Sequence, residues 1–289
     1  MSTAMIPRST RPVNQPAPGK RLSLSDTIQG GKQLPSRVIF HGQGGIGKTS
    51  FAAHAPKPYF LLSRGETGLH TLIDSGQLPK LPNVEAKIWD DCMSIVEDLT
   101  TQPHDHKTLV IDVLDGMVNL ANELVCETSF KSDWGKTGFM NYSAGERAVA
   151  FCQTRELIVA LDKLRETKRM GIIGLTHTGV ANFNNPLGSD YQRYAPSIYK
   201  DSWALLFGWA DIVLYGYHVV ASAKDKEDGR MKGRSSGDRV MTTEWSAAYD
   251  AKNRHNLPAE IEMGINGAEA WNNFKAALEA GRKATVSNG

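Results

Sequence analysis

Residues 40–52 read FHGQGGIGKTSFA, with Gly42, Gly44, Gly45 and Gly47 crowded into six positions just ahead of Lys48 and Thr49. Ordered glycine costs backbone entropy, so this crowding marks a main chain that must wrap something closely. The run satisfies G-x-x-x-x-G-K-[ST] from Gly42 to Thr49. In that pattern main-chain N–H groups hold phosphates, the lysine reaches the terminal phosphates and the hydroxyl binds magnesium. Gly42, Gln43, Gly44, Gly45, Ile46, Gly47, Lys48, Thr49 and Ser50 are therefore the expected site for a nucleoside triphosphate with Mg2+.

A triphosphate arrives with its metal, and a strand-end aspartate commonly holds that ion through water. Asp112 closes the apolar run TLVI and is the expected partner of Thr49 at the metal. Asp115 is either the cap of the next helix or a sharer of the same site. Glu66, in LLSRGETGL, can orient or deprotonate an attacking water; its other reading is a surface-loop glutamate. His177 ends the run MGIIGLTHT, where its imidazole can bond a terminal phosphate or serve as an ordinary capping or core group.

These side chains need elements to bring them together. SRVIFHG is a β-branched and aromatic run, and KTSFAAHA can begin a helix before Pro56 stops it. That helix start would add its partial positive charge to the anion site. Residues 56–63 read as a second strand, GLHTLIDSG as a short helix, 107–112 as a third strand and the stretch up to 130 as a helix. Residues 129–145 read as an irregular loop, 146–167 as a long amphipathic helix, 170–178 as a fourth strand and 179–200 as a second irregular loop. KDSWALLFGWA is a helix leading into the strand DIVLYGYHVV, which RVMTTEWSA pairs with as a hairpin, and GAEAWNNFKAALEAGRKA closes the chain as a helix. The alternation predicts an α/β fold: a mostly parallel central sheet, helices on both faces and a C-terminal β-hairpin, with the ligand beyond the carboxyl ends of the strands.

A chain of 289 residues can build such a core without covalent staples. Cys92, Cys126 and Cys152 stand far apart in no metal-like spacing, as expected in a reducing cytoplasm. No apolar stretch is long enough to predict a membrane span, and the polar, proline-rich start does not read as a secretory signal. The net charge of +2 alone does not argue for nucleic acid. It is unevenly spread, however, because residues 1–37 hold six cations against Asp26. The expected organisation is a flexible basic arm over 1–35, a core over 36–260 and a C-terminal helix and tail over 261–289. The arm is either a solvated leader or a tether to phosphate backbone or a neighbouring subunit. The Lys/Arg-rich hairpin tip within 224–239 reads as solvated.

Taken together, GQGGIGKTS, Glu66 in GETGL, TLVID, GLTHT, SDYQRYAPSIYKDSWALLFGWADIVLY and AKNRHNLP resemble a RecA-like P-loop ATPase, more narrowly a phage-encoded type associated with recombination and single-strand annealing. The resemblance covers about residues 36–260. It implies ATP and Mg2+ as cofactors, Lys48 and Glu66 as catalytic groups, and His177 as the sensor of the γ-phosphate. A Lys-x-Arg pair late in such cores supplies charge to a neighbour's nucleotide, and Lys252 and Arg254 match that spacing; their other reading is a basic turn. One departure is local: Ser63, Arg64 and Gly65 stand where related sequences often carry an acidic residue. The resemblance also implies two DNA loops, here 129–145 and 179–200. They offer Lys131, Trp134, Lys136, Phe183, Arg193, Tyr194 and Lys200, cations interleaved with rings, as an unpaired strand requires. The alternative is that these rings pack back on the core or on a neighbour.

The function so implied is an ATP-hydrolysing, single-strand-binding protein of phage DNA metabolism, acting in the cytoplasm of a bacterial host. It would be a homo-oligomer, ring or filament, with nucleotide at the subunit interface, and a single-strand-binding or replication protein is a candidate partner. The competing readings are a nucleotide-dependent switch and a small P-loop kinase without DNA binding.

Overall fold

The computed structural model describes residues 23–27, 31, 33–224 and 231–287. Most of the expected basic arm, and the hairpin tip at 225–230, lie outside the described residues. Six strands run parallel: β1 (Arg37–Gly42), β2 (Pro58–Ser63), β3 (Asn83–Ala86), β4 (Thr108–Asp112), β5 (Gly171–Phe183) and β7 (Ile212–Lys224). β6 (Tyr191–Pro196) returns antiparallel on β5, β8 (Met231–Thr242) returns antiparallel on β7, β9 (Lys252–Asn253) pairs with the start of β7, and β10 (Glu260–Glu262) pairs with β8. The sheet order is β10-β8-β7-β1-β5-β4-β2-β3. One strand, β5, thus separates the strand that ends in the glycine loop from the strand that ends in Asp112.

Strand side chains alternate between faces, and both faces of a parallel sheet need cover. Val38, Phe40, Phe60, Leu62, Val110, Ile173, Leu175, Ile212 and Leu214 pack beneath α1 (Lys48–Ala53), α2 (Gly68–Asp74) and α8 (Gly267–Ser287). The alternate positions Ile39, Leu61, Leu109, Ile111, Ile172 and Val213 meet α3 (Trp89–Thr101), α4 (Leu114–Phe130), α5 (Ala144–Val149), α6 (Arg155–Lys168) and α7 (Lys200–Trp209). α8 is held close: Phe274 lies 5.5 Å from Phe51, and a Cβ on Gly267 would collide with the Ser50 backbone. No helix of the described residues is long and apolar enough to cross a membrane.

Besides the short strands β9 and β10, which were not predicted, the fold departs from the sequence reading in four places. β3 and α3 fill a stretch from which no element was predicted. Residues 179–200 are not irregular, because β5 continues to Phe183 and β6 folds back on it from Phe183–Tyr191 to Thr178–Pro196. Residues 129–145 hold the end of α4, turns and the first residues of α5; Lys131 ends α4 in a left-handed conformation while its N–H donates to the Cys126 carbonyl. The predicted helix over 146–167 is α5 and α6 joined by a π turn at Ala150–Thr154.

Candidate nucleotide-binding site

The loop between β1 and α1 leaves the sheet between β5 and β7, where Gly42 stands opposite both His177 and Gly216. Two glycines meet there out of necessity. A Cβ on Gly42 would strike the Gly216 carbonyl, and one on Gly216 would lie 2.8 Å from Phe40 and 3.1 Å from Ile46. The loop is anchored by Gln43 N–H donating to the Gly216 carbonyl at 3.2 Å. Gly47, at φ +99°, turns the chain into α1 in the left-handed region that only glycine adopts freely.

Lys48 follows at once, and its Nζ donates to the Gly42 and Gln43 carbonyls at 3.2 and 3.4 Å. Burial lowers its pKa, although Asp112, Asp115 and Glu66 pull the other way. The next residue, Thr49, donates from Oγ1 to Asp112 Oδ2 at 2.9 Å. Asp112 is 2% exposed. Burial pushes its carboxyl up to about 6 against the Thr49 hydrogen bond, and the Glu66 charge adds to the rise. A hydroxyl beside a buried carboxylate that is short of positive charge is a hard-oxygen donor pair. Mg2+ takes such groups one or two at a time and completes its shell with water and phosphate. Thr49 and Asp112 therefore fit the ion.

Glu66 sits in the turn that ends β2, its N–H donating to the Ser63 carbonyl at 3.0 Å. Its Oε1 accepts the Gly68 N–H at 3.0 Å, and a Cβ on Gly68 would lie 3.1 Å from that oxygen and 3.7 Å from Thr49 Oγ1. Glu66 is thus brought to the metal side of the loop. The same turn is tied outward, because Arg64 pairs with Glu123 of α4 and Gly65 N–H donates to Glu85 at 2.8 Å.

His177 is oriented by Asp115, the residue the sequence left between two roles. Asp115 Oδ1 accepts the Thr176 hydroxyl at 2.9 Å and the His177 N–H at 3.0 Å, while Oδ2 lies 2.8 Å from His177 Nδ1. A carboxylate only accepts, so Nδ1 carries the proton and Nε2 is the ring nitrogen left for a ligand. The Asp115 bond raises the His177 pKa against its partial burial. Burial pushes Asp115 upward, but the His177 and Thr176 bonds outweigh it and the pKa falls.

The remaining predicted residues stand elsewhere. Lys252 and Arg254 lie at the opposite end of the sheet, since Asn253 pairs with Ile212 while the loop lies beside Gly216. That separation is four residues, about 13 Å along the strand. In a single chain both cap α7: Lys252 Nζ donates to the Phe207 and Gly208 carbonyls, and Arg254 Nη2 to Gly208 at 3.3 Å. Burial lowers Lys252 to about 8, with Arg254 adding to the effect.

Among the DNA candidates, Lys131, Lys136 and Lys200 are exposed. Trp134 is 44% exposed, with its ring 4.9 Å from that of the buried Phe139. The Phe183 ring lies 5.1 Å from that of Tyr191, tilted by 39°. Arg193 is buried in a 2.6 Å pair with Asp250, and Tyr194 stacks 5.6 Å from Tyr215.

Three contributors were not singled out from sequence. Thr176 shares Asp115, Arg239 of β8 reaches the glycine loop, and His41 braces the end of β1. His41 is buried and pushed down to about 4, between the Thr178 hydroxyl at 3.1 Å and the Asp250 carbonyl at 2.7 Å. Thr176 and His41 lie inside runs quoted for other residues, and Arg239 lies in no motif; it is the strand register that brings each into place.

Fold and site together define an α/β P-loop nucleotide-binding protein. The AAA domain family matches residues 34–255, and the chain belongs to that family. Among solved structures it is similar to the RadB recombinase, with a TM-score of 0.45 and 9% identity over 81% of this chain and 90% of that one. No curated protein matches the sequence.

Proposed function

We propose that the protein binds and hydrolyses Mg·ATP, binds single-stranded DNA and promotes strand annealing or recombination in phage DNA metabolism. The observation that carries this reading is the convergence of Lys48, Thr49, Asp112, Glu66 and His177 at one end of the sheet, through the Thr49–Asp112 and His177–Asp115 bonds. Lys48 neutralises the terminal phosphates, Thr49 and Asp112 hold magnesium, Glu66 orients the attacking water and takes its proton, and Nε2 of His177 meets the terminal phosphate. Magnesium supplies charge neutralisation across the phosphates when bound. The strand lies along the β5–β6 hairpin and residues 131–143. Lys131, Lys136 and Lys200 offer countercharge, and Trp134 and Phe183 offer rings. Trp134 lines a cavity of about 340 Å³ with Arg64, Asn119 and Glu123. The cavity lies beside Arg64, two residues before Glu66, which supports reading residues 129–145 as a loop that acts near the nucleotide.

Lys252 and Arg254 cannot serve their own chain's nucleotide, so their catalytic role is to a neighbour in a homo-oligomer. ATPase rate measured against oligonucleotide length tests the reading. The rate rises with single-stranded DNA beyond a threshold length, and the stimulation falls steeply with salt as counterions compete. Rate and assembly unchanged by DNA of every length would overturn the DNA half.

A further inference from the structure

Arg239 lies on β8, opposite His218 of β7, and its backbone carbonyl accepts the Met263 N–H at 2.8 Å. Its main chain is therefore fixed on two sides. Its guanidinium bridges two carbonyls: Nη1 donates to Ile46 of the glycine loop at 3.2 Å, and Nη2 to Gly264 at 2.8 Å. On the neighbouring strand, His218 N–H donates to Gln43 Oε1 at 3.3 Å. The β7–β8 pair thus grips the glycine loop near both its start, at Gln43, and its end, at Ile46.

The peptide Arg239 holds is the one before Gly47. In a trans peptide the C=O and N–H point in opposite directions. Fixing the Ile46 carbonyl toward β8 therefore turns the Gly47 N–H away from β8. That N–H has no acceptor among the described residues. Gly47 suits such an arrangement twice over, because its φ is +99° and a Cβ there would lie 2.8 Å from Arg239 Nη1. Only a glycine lets the guanidinium come so close.

We infer that Arg239 is a positioning residue for phosphate binding: by holding the Ile46 carbonyl outward it presents the Gly47 N–H to a polyphosphate. It touches no nucleotide itself. Losing it frees the peptide to rotate, and a rotated peptide offers a phosphate a carbonyl oxygen in place of a donor. The inference rests on the Mg·ATP reading above and concerns the same loop.

Titration calorimetry on the full chain with Mg·ATP and, separately, with tripolyphosphate tests it. Arg239→Ala should weaken both by the same factor, about 10- to 100-fold, the worth of a donor to a charged acceptor. Arg239→Lys should recover part of the loss, having one ammonium for two carbonyls, and millimolar methylguanidinium should restore binding to Arg239→Ala. A general structural defect moves none of these selectively. If wild type binds Mg·ATP and Arg239→Ala, or Arg239→Lys should the alanine variant not fold, binds it as well as wild type, the inference is overturned and the nucleotide reading stands. The same holds if affinity for ATP drops while that for tripolyphosphate does not. A wild-type protein with no affinity for Mg·ATP overturns both.

Discussion

At the residue scale the site is an arrangement of charges held ready at a cost to the empty protein. Lys48 is partly buried with its pKa lowered, and Asp112 is buried with its pKa raised, so for each the charged form is less favoured than it would be in water until a counter-charge arrives. Lys48→Ala should therefore weaken Mg·ATP binding at least about 100-fold, read by calorimetry, since it removes a charge from the phosphates' strongest contact. Thermal unfolding of the empty variant should be unchanged or slightly later, because the burial cost leaves with the ammonium. The His177–Asp115 pair carries the opposite signs. His177 is raised, so its contribution to stability is full below about 6.5 and is lost as pH rises through the folded value. Asp115 is lowered, so its contribution is present above about 3.8 and is lost as pH falls through its own folded value. The pair thus supports the fold most in the window between. NMR titration of the His177 ring should give a midpoint above that of a free histidine in wild type, and Asp115→Asn should bring it down. An unmoved midpoint would contradict the pairing.

At the element scale, what holds a site side chain such as His177 is often remote in sequence from it. The β5–β6 hairpin leaves directly after His177 and is fastened at its far strand, where Asp250 takes Arg193 at 2.6 Å and the Trp203 indole at 2.9 Å. Arg193 is 9% and Asp250 18% exposed, so cutting the pair strands a buried guanidinium. Asp250→Ala should cost about 3 kcal/mol in urea unfolding. Asp250→Asn, which still accepts, should cost less. The glycine loop, the Asp112 strand and most helices were legible in the sequence because each is written locally, as a motif, an apolar run or a helical period. The β5–β6 hairpin was not, since Asn182, Asn184, Asn185, Pro186 and Gly188 look like a loop and the alternation in YQRY is only four residues long. β3 was missed for a related reason, since this edge strand is only four residues of mixed polarity, and the acidic start of α3 at Asp90 and Asp91, a helix-start signal, went unused. Asp115's hold on Thr176 and His177 joins residues about sixty positions apart, and no spacing rule reaches that far.

At the scale of the whole molecule, the sheet has two ends with different chemistry. The nucleotide loop and its acidic partners occupy the carboxyl end, while Lys252 and Arg254 occupy the other, capping α7 beside Asp211. A single chain cannot bring the two ends together, but copies joined head to tail can, since a heterologous interface sets unlike surfaces of the same chain against each other. The Arg254 side chain is half exposed, and in its own chain it meets the Gly208 carbonyl at 3.3 Å and Asp211 at 3.8 Å. If its charge serves a neighbour's nucleotide, Arg254→Ala should bind Mg·ATP nearly as wild type does yet turn it over far more slowly, roughly 10³-fold for a charge of the arginine-finger kind. Mixing gives the sharper result. Lys48→Ala subunits hold no nucleotide but keep Arg254, whereas Arg254→Ala subunits hold nucleotide but lack the donor. Each alone should be inactive, and an equimolar mixture should regain activity at about a quarter of its sites, where a loaded subunit meets an intact donor in a head-to-tail assembly. A mixture as inactive as its components would leave the pair as the α7 cap that the isolated chain displays.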